Sequence, residues 1–323
     1  LGFAAWFEKK SKDNSEAYVQ YTNDNLQAFL YLKNESGEAL TDITPIRPAC
    51  NRLKVGTFKI DAHNTKLGER FVKKILDTAL DMKAEEIYVT IYPKHEGLIR
   101  ILQRYGFNEE GKKGEELVLV KNMKILTGDI LKDFPLLTTK DKRKFLLSIY
   151  PKYHTKMFPD SILRNEESKK YELVKDVSYT NSIHKVYLCF MSDTAKLQRG
   201  DIIAIYRTKD DKGSARYRSV ITSICQIEEV KTNKDFPTVE DFLAYTNFYS
   251  IFDSEELKQW YQQKNCYILK MTYNIALTKR VTNGYLVDNL NMSPKYWGFF
   301  QLTDEQFDAI LKKGEVDEGV IID

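Results

Sequence analysis

Arg52–Phe107 reads RLKVGTFKIDAHNTKLGERFVKKILDTALDMKAEEIYVTIYPKHEGLIRILQRYGF, and its changes of period decide the fold of the first part of the chain. In RLKVGTFKI the side chains of Leu53, Val55, Thr57 and Lys59 alternate with those of Lys54, Gly56, Phe58 and Ile60, the two-residue period of a strand. From Leu67 the period lengthens. Phe71, Ile75, Leu76, Ala79 and Leu80 recur at spacings of three and four, with Lys73, Lys74, Asp77 and Lys83 largely off that stripe, which predicts an amphipathic helix. EIYVTIY alternates Ile87, Val89 and Ile91 against Tyr88, Thr90 and Tyr92 and predicts a second strand. LIRILQRYGF then closes the stretch as a helix with a Gly-Phe ending, so the whole is one βαβ unit with a further helix attached.

A helix that begins near Lys66 or Leu67 aims its first N–H groups and the positive end of its dipole at whatever precedes it, which is how helices hold anions. Lys66 adds a charge at that point, and Gly68 removes a side chain where a phosphate would approach.

This order of parts resembles the GNAT acyltransferases, the N-acetyltransferases that use acetyl-coenzyme A. The resemblance implies that the splayed strand through Thr57, Phe58 and Lys59 offers backbone groups to the pantetheine arm. It implies also that the loop and helix start, with His63, Lys66, Gly68, Glu69 and Arg70, hold the pyrophosphate. His63, Lys66 and Gly68 take the places of the family's loop signature, of which the last glycine is retained. Gly97 and Leu102 stand where many members carry an Asn and the Tyr that returns a proton to the leaving thiolate. In family-like chemistry an amine loses a proton, its nitrogen attacks the thioester carbonyl, and sulfur receives a proton. Backbone donors on the central strand would stabilise the oxyanion. Glu38 and Asp61 are the carboxylates that this fold would bring near a substrate amine.

A chain of 323 residues exceeds what one core organises, and two domains are expected. Hydrophobic residues make up 42% and charged residues 29%, which excludes a disordered or fibrous chain. The net charge of +3 does not by itself point to nucleic acid. Cys50, Cys189, Cys225 and Cys266 are far apart, as are His63, His95, His154 and His184, so no metal site is expected. Cys189 and Cys225 lie in apolar runs and read as buried free thiols. That usage fits a reducing, cytoplasmic setting, and no apolar run reaches membrane-spanning length or forms a secretory leader.

Upstream of the central stretch, FAAWFEKK reads as the end of an amphipathic helix, followed by strands in EAYVQYT and LQAFLYLKNE around an Asn23-Asp24-Asn25 turn. The resemblance would place one more strand and helix before Leu1, so the opening of the domain is expected to be incomplete or reduced. Thr41–Asn51, with Pro45 and Pro48, reads as loop, and LVLVKNM as the strand that closes the first domain near Lys124. Gly128, Pro135 and the KDKRK run mark a linker.

The second part changes character. KVYLCFM, DIIAIYRT, ARYRSVITSICQIEEV and CYILKMTY read as strands of a small bent sheet or barrel, with TVEDFLAYT and SEELKQWYQQ as helical insertions and LTDEQFDAILKKG as a capped final helix. Asn283-Gly284 reads as a turn, and Tyr296, Trp297, Phe299 and Phe300 form a dense aromatic group. VYLCFMSDTAKLQRGDIIAIYRTKD followed by YRSVITSICQIEEV resembles the PUA-like superfamily, particularly its ASCH branch, associated with RNA or modified nucleotides. Arg207, Arg216 and Arg218 would then contact phosphate, and Tyr206 or Tyr217 would stack on a base.

The fold class expected is α/β, of the mixed α+β kind. Residues 1–124 form a mixed-sheet GNAT-like domain and 125–144 a linker. Residues 145–323 form a mainly β PUA-like barrel with helical insertions and a C-terminal helical extension. One function and one alternative to it are expected. One is transfer of an acetyl group from acetyl-coenzyme A to an amine of an RNA or protein selected by the second domain. The other is RNA or nucleotide binding on a non-catalytic acyltransferase scaffold, in the manner of a toxin–antitoxin or phage-defence component.

Overall fold

The computed structural model describes Glu8 and residues 16–22, 24–60, 66–161 and 182–323. Apart from Glu8, the helix expected over FAAWFEKK lies outside the described residues, as do the candidates Asp61 and His63. The chain divides into two compact units, residues 1–124 and 125–323. The class is mixed α/β, with one six-stranded mixed sheet in each unit.

In the first unit the strands are β1 (Tyr18–Thr22), β2 (Asn25–Asn34), β3 (Arg52–Ile60), β4 (Glu86–Ile91), β5 (Asn108–Lys113) and β6 (Glu116–Asn122). They lie in the order β1-β2-β3-β4-β6-β5, with β3 and β4 parallel and the other neighbours antiparallel. The β1–β2 hairpin turns at Asp24, whose φ of 61° is a left-handed conformation that Asp tolerates. Helix α1 (Leu67–Asp81) is the crossover between the parallel strands. It buries Phe71, Ile75, Leu76 and Ala79 of the stripe that its sequence period predicts, and Val72 beside them, while Leu80 of that stripe is half-buried. Lys73, expected off that stripe, is buried too and ends on Asp77 at 2.7 Å. Helix α2 (Glu96–Arg104) follows β4 and sinks Leu102 into the core.

One face of β4 carries Tyr88, which packs with Leu40, Ile43, Val118 and Val120. The loop that supplies Leu40 and Ile43 is anchored by a charge cluster. Glu86 accepts from Arg47 Nη2 at 2.6 Å and from Arg52 Nε, while Arg52 donates onward to the carbonyls of Glu38 and Pro48 at 3.0 and 2.7 Å. Arg52 is wholly buried, so this carboxylate neutralises a charge that has no access to water.

The second unit begins with α3 (Ile130–Asp133), capped by Asp129. The stretch expected as a linker is packed structure: Ile130, Phe134, Leu136 and Leu137 are buried. Leu137 pairs with the C-terminal segment, and the Asp323 carboxylate accepts from Thr138, Thr139 and Lys140. Its sheet comprises β7 (Lys144–Ile149), β8 (His184–Cys189), β9 (Ile202–Arg207), β10 (Val220–Thr232), β11 (Tyr267–Thr282) and β12 (Phe299–Leu302). The order is β12-β7-β9-β10-β11-β8, so among the described residues the sheet is open, with β12 and β8 at its edges, and is not the closed barrel expected. Three register shifts between β10 and β11 bend those long strands.

The helices are α4 (Pro151–Met157), α5 (Ala215–Arg218), α6 (Val239–Thr246), α7 (Ser254–Tyr261), α8 (Asn283–Leu290) and α9 (Asp304–Lys313). Two of them correct the sequence reading. Ala215–Arg218 is a short helix before β10 rather than part of that strand, and Asn283-Gly284 opens α8, with the Thr282 hydroxyl capping it through Tyr285 N–H. The core joins β7, β8, β9, β10 and β11 to α6 and α7, through residues such as Leu147, Ile205, Phe242, Leu257 and Met271. Each such fully buried side chain contributes about 1.5–3 kcal/mol.

Candidate functional sites in the two units

In the first unit the register of β3 makes the site. Tyr31 of β2 opposes Thr57 and Leu32 opposes Val55, so Gly56 is an extra, bulged residue. On the other side, β4 pairs with β3 only from Arg52 to Val55. Bulge and loss of pairing fall at the same residue, and from Gly56 onward β3 turns away from β4 while it keeps its bonds to β2. A bulge re-aims a strand and ends pairing, and here the pairing of β3 with β4 does not extend past Val55 into residues 56–60. A β-carbon on Gly56 would lie 2.8 Å from Tyr31 Cδ1, so the tyrosine ring occupies the space that the glycine vacates.

The candidates around this splay fare differently. Thr57 and Lys59 lie on the diverging part of β3, with Lys59 exposed. Phe58 lies there too, half-buried, and its ring stacks on Phe71 of α1, centroids 6.1 Å apart. Lys66 precedes the first turn of α1 and Arg70 ends that turn, half-buried, its burial holding its pKa below the ordinary arginine value. The side chain of Glu69 is buried and accepts from Arg104 Nη1 of α2 at 3.1 Å. Gly68 has a packing reason for lacking a side chain, since its β-carbon would lie 2.8 Å from Ile101 Cδ1 and 3.4 Å from Ile60 Cδ1. Glu38 is exposed, its carbonyl accepting from Arg52 Nη1 and its carboxylate close enough to Lys33 to join Glu35 in raising that lysine's pKa.

A carboxylate that the sequence reading passed over is better enclosed. Glu35 is buried. Burial alone would raise its pKa, but bonds from Lys33 at 2.6 Å and from the Tyr88 hydroxyl, with Lys54 at 3.4 Å, hold it below the ordinary value. Tyr88 in turn is pushed upward by burial and by Glu35. Lys54 and Tyr88 are the strand pair next to the last one before the splay. Their spacing in sequence gives no hint of this, because the contact forms only when β2, β3 and β4 are side by side.

In the second unit a cavity of about 700 Å³ is lined by residues from five separate segments. Tyr150, Lys152 and Tyr153 come from the start of α4, Tyr187–Met191 from the end of β8, Trp260 from α7, and Tyr296–Gly298 from the segment before β12. Phe190 lies flat on Trp260, centroids 4.5 Å apart and planes 22° from parallel. Trp297 stacks on Tyr206 at 5.5 Å, and Ser148 fixes it by donating its hydroxyl to the Trp297 carbonyl and its N–H to Gly298 O at 2.8 Å. Lys152 is the charged residue of the lining. Thr208 adds a hydroxyl oxygen that is buried without a hydrogen-bond partner among the described residues. Burial raises the phenol pKa of Tyr187, and Cys189, Tyr153, Tyr150 and Tyr296 lie close enough to oppose its ionisation further.

Deeper in the same unit runs a chain of hydroxyls. His154 Nε2 meets Thr222 Oγ1 at 2.7 Å, Thr222 meets Ser223 at 3.1 Å, Ser223 meets Ser161 at 2.8 Å, and Ser161 meets the Tyr273 hydroxyl at 2.9 Å. Lys185, fully buried, sits 5.5 Å from the centre of the Tyr273 ring. Burial, with Arg207 and Arg280 nearby, pushes His154 down to about 3 and keeps it neutral.

The nucleic-acid candidates named from the sequence do not converge on the cavity. Tyr206 is buried behind Trp297, with its hydroxyl bonded to Ser219 and Asn283, and so supports the wall instead of stacking on a base. Arg207 is buried and cannot meet a phosphate at the surface. Arg216 is paired with Asp288 at 3.0 Å through Nη1, and Arg218 is paired with Asp210. Tyr217 is exposed on α5. The four cysteines are free, with Cys189, Cys225 and Cys266 buried. No cluster of metal-ligating residues occurs among the described residues, and no described helix is long and apolar enough to cross a membrane.

No family model and no curated protein matches the chain. Among solved structures, ASCH from Zymomonas mobilis aligns over 53% of this chain and 96% of its own, at 8% identity and a TM-score of 0.36. A GNAT family acetyltransferase from Elizabethkingia anophelis, with acetyl-CoA bound, aligns over 36% of this chain and 82% of its own, at 12% identity and a TM-score of 0.28. The PaiA N-acetyltransferase of Thermoplasma acidophilum, in complex with coenzyme A, aligns over 35% of this chain and 65% of its own, at 12% identity and a TM-score of 0.26. These are partial likenesses, and the chemistry of each site rests on this chain's own residues.

Proposed function

We propose that the first unit binds an acyl-coenzyme A, with acetyl-coenzyme A as the donor, and passes its acyl group to an amine on a nucleotide-bearing acceptor, such as RNA, that the second unit selects. The observation that carries the first half is the bulge at Gly56, where the pairing of β3 with β4 ends ahead of the crossover to α1. An amide-bearing arm such as pantetheine suits such a stretch, because it pairs with strand groups as a further strand would. Lys66 and the dipole of α1 favour the phosphate end. The second half rests on the aromatic cavity, where stacked rings and one lysine suit a flat base carrying a phosphate.

Titration calorimetry of the full chain with acetyl-coenzyme A tests the donor. Binding supports the reading, and no heat at any concentration up to millimolar overturns it.

A second reading has its own support. Gly68 is explained by packing, and the Glu69 side chain is tied to Arg104. A first unit that keeps the fold without the chemistry, joined to a nucleotide-binding second unit, accounts for those two residues. RNA binding in a salt series, with no acetyl-coenzyme A binding, would select this reading, since phosphate contacts weaken steeply as salt rises.

A further inference from the structure

A second, smaller cavity of about 290 Å³ adjoins the aromatic one, and the two share Phe190, Met191 and Tyr296 in their walls. From these shared residues we infer that the cavities are consecutive subsites for two neighbouring rings of one single-stranded nucleotide ligand, with Phe190 and Tyr296 as the wedge between them. The inference rests on the nucleotide reading of the second unit and deepens it.

Both wedge residues are large, apolar and more than half exposed, at 58% and 64%, so each has ring surface to offer on the cavity side. Phe190 is backed by Trp260 and does not fold away when a ring stacks on its free face. Tyr296 lies over Gly298, where a β-carbon would come within 2.1 Å of its ring, so the glycine is what lets the phenol lie across the boundary of the cavities. Aromatic side chains that wedge beside or stack on successive bases are a standard means of holding a single strand, and Phe190, covered on one face by Trp260, offers its other face and its edge.

The rims differ in charge. Lys152 is the charged residue of the larger cavity, and Asp193, paired with Lys196 at 2.6 Å, is that of the smaller. A ligand with a phosphate on one side and base amino groups on the other complements that polarity. A single nucleotide fills the first cavity only, and two linked nucleotides fill both.

The test compares, on the full chain, a nucleoside 5′-monophosphate, the matching dinucleotide and an octanucleotide blocked at both ends. Stacking of a second base predicts that the dinucleotide binds about tenfold or more tightly than the mononucleotide. Ser192→Phe, which fills the smaller cavity from an exposed position, should reduce the dinucleotide to the mononucleotide's affinity and leave the mononucleotide within about twofold. Binding of the blocked octanucleotide would assign the subsites to an internal stretch of RNA, and binding of the short ligands alone would assign them to free dinucleotide. If the mononucleotide binds and the dinucleotide is no tighter, or is untouched by Ser192→Phe, the two-subsite inference is overturned while the nucleotide reading stands. If none of the ligands binds, both fall.

Discussion

The ring of Tyr31 lies across the backbone of Gly56, 2.8 Å from where a β-carbon on that glycine would stand. Because Gly56 is also the bulged residue at which β3 leaves β4, the contact fixes both where the splay begins and what residue can begin it. Gly56→Val should therefore displace Tyr31 or flatten the bulge. The expected result is a loss of acetyl-coenzyme A affinity of tenfold or more, with destabilisation of about 1–3 kcal/mol from overpacking, read by calorimetry and urea unfolding. Unchanged affinity would separate the bulge from the binding site.

The Glu86 cluster predicts acid sensitivity in the first unit. Burial works to raise the Glu86 pKa, but bonds from Arg47 and Arg52 hold it below the ordinary 4.5. The unfolded chain thus takes up a proton more readily than the fold does, so the stabilisation is fully present above about pH 4.5 and is lost as pH falls through the folded value. Glu86→Ala leaves Arg52 buried and without its carboxylate, at a cost of about 3–5 kcal/mol, and flattens the acid limb of the unfolding profile.

In the second unit His154 predicts a slope at milder pH. Its pKa is about 3 in the fold against 6.5 unfolded, so the imidazole charges on unfolding and not before. Stability conferred by the neutral ring is complete above about pH 6.5 and declines toward pH 3, by at most about 1.4 kcal/mol per unit. Unfolding of His154→Gln measured from pH 7 to pH 5 should lack that slope. An identical slope in the variant would place the acid sensitivity elsewhere.

Trp260→Ala removes the backing of Phe190 in the aromatic cavity. Nucleotide affinity should fall by about 1–3 kcal/mol, mainly through faster dissociation, while acetyl-coenzyme A binding is unchanged. A variant that loses both ligands equally would indicate unfolding instead of a lost stacking surface.

Much of the fold is legible in local periodicity. The alternation of Leu53, Val55 and Thr57 and the helical stripe from Phe71 to Ala79 each specify an element without outside help. What local pattern hides is register and convergence. Nothing near Gly56 says that Tyr31 opposes Thr57, and so the bulge is invisible until β2 and β3 pair. The Asn283-Gly284 pair carries a turn signal, yet Thr282 caps a helix there. The cavity is hidden for the same reason: Tyr150, Phe190, Trp260 and Tyr296 lie on four separate segments, while the arginines that look basic in sequence end in ion pairs or in the interior. The helix-start residues that the resemblance assigns to the pyrophosphate divide once packed, Lys66 at the entrance to α1 and the Glu69 side chain against α2.

Hydrogen exchange of the backbone over Gly56–Ile60, with and without acetyl-coenzyme A, tests the central claim most directly, because the claim is that this stretch of β3, beyond its pairing with β4, binds the donor's arm. Saturating acetyl-coenzyme A should slow exchange in that segment about tenfold or more and leave β12 in the other unit unaffected. Exchange over Gly56–Ile60 that is the same with and without the ligand would contradict it.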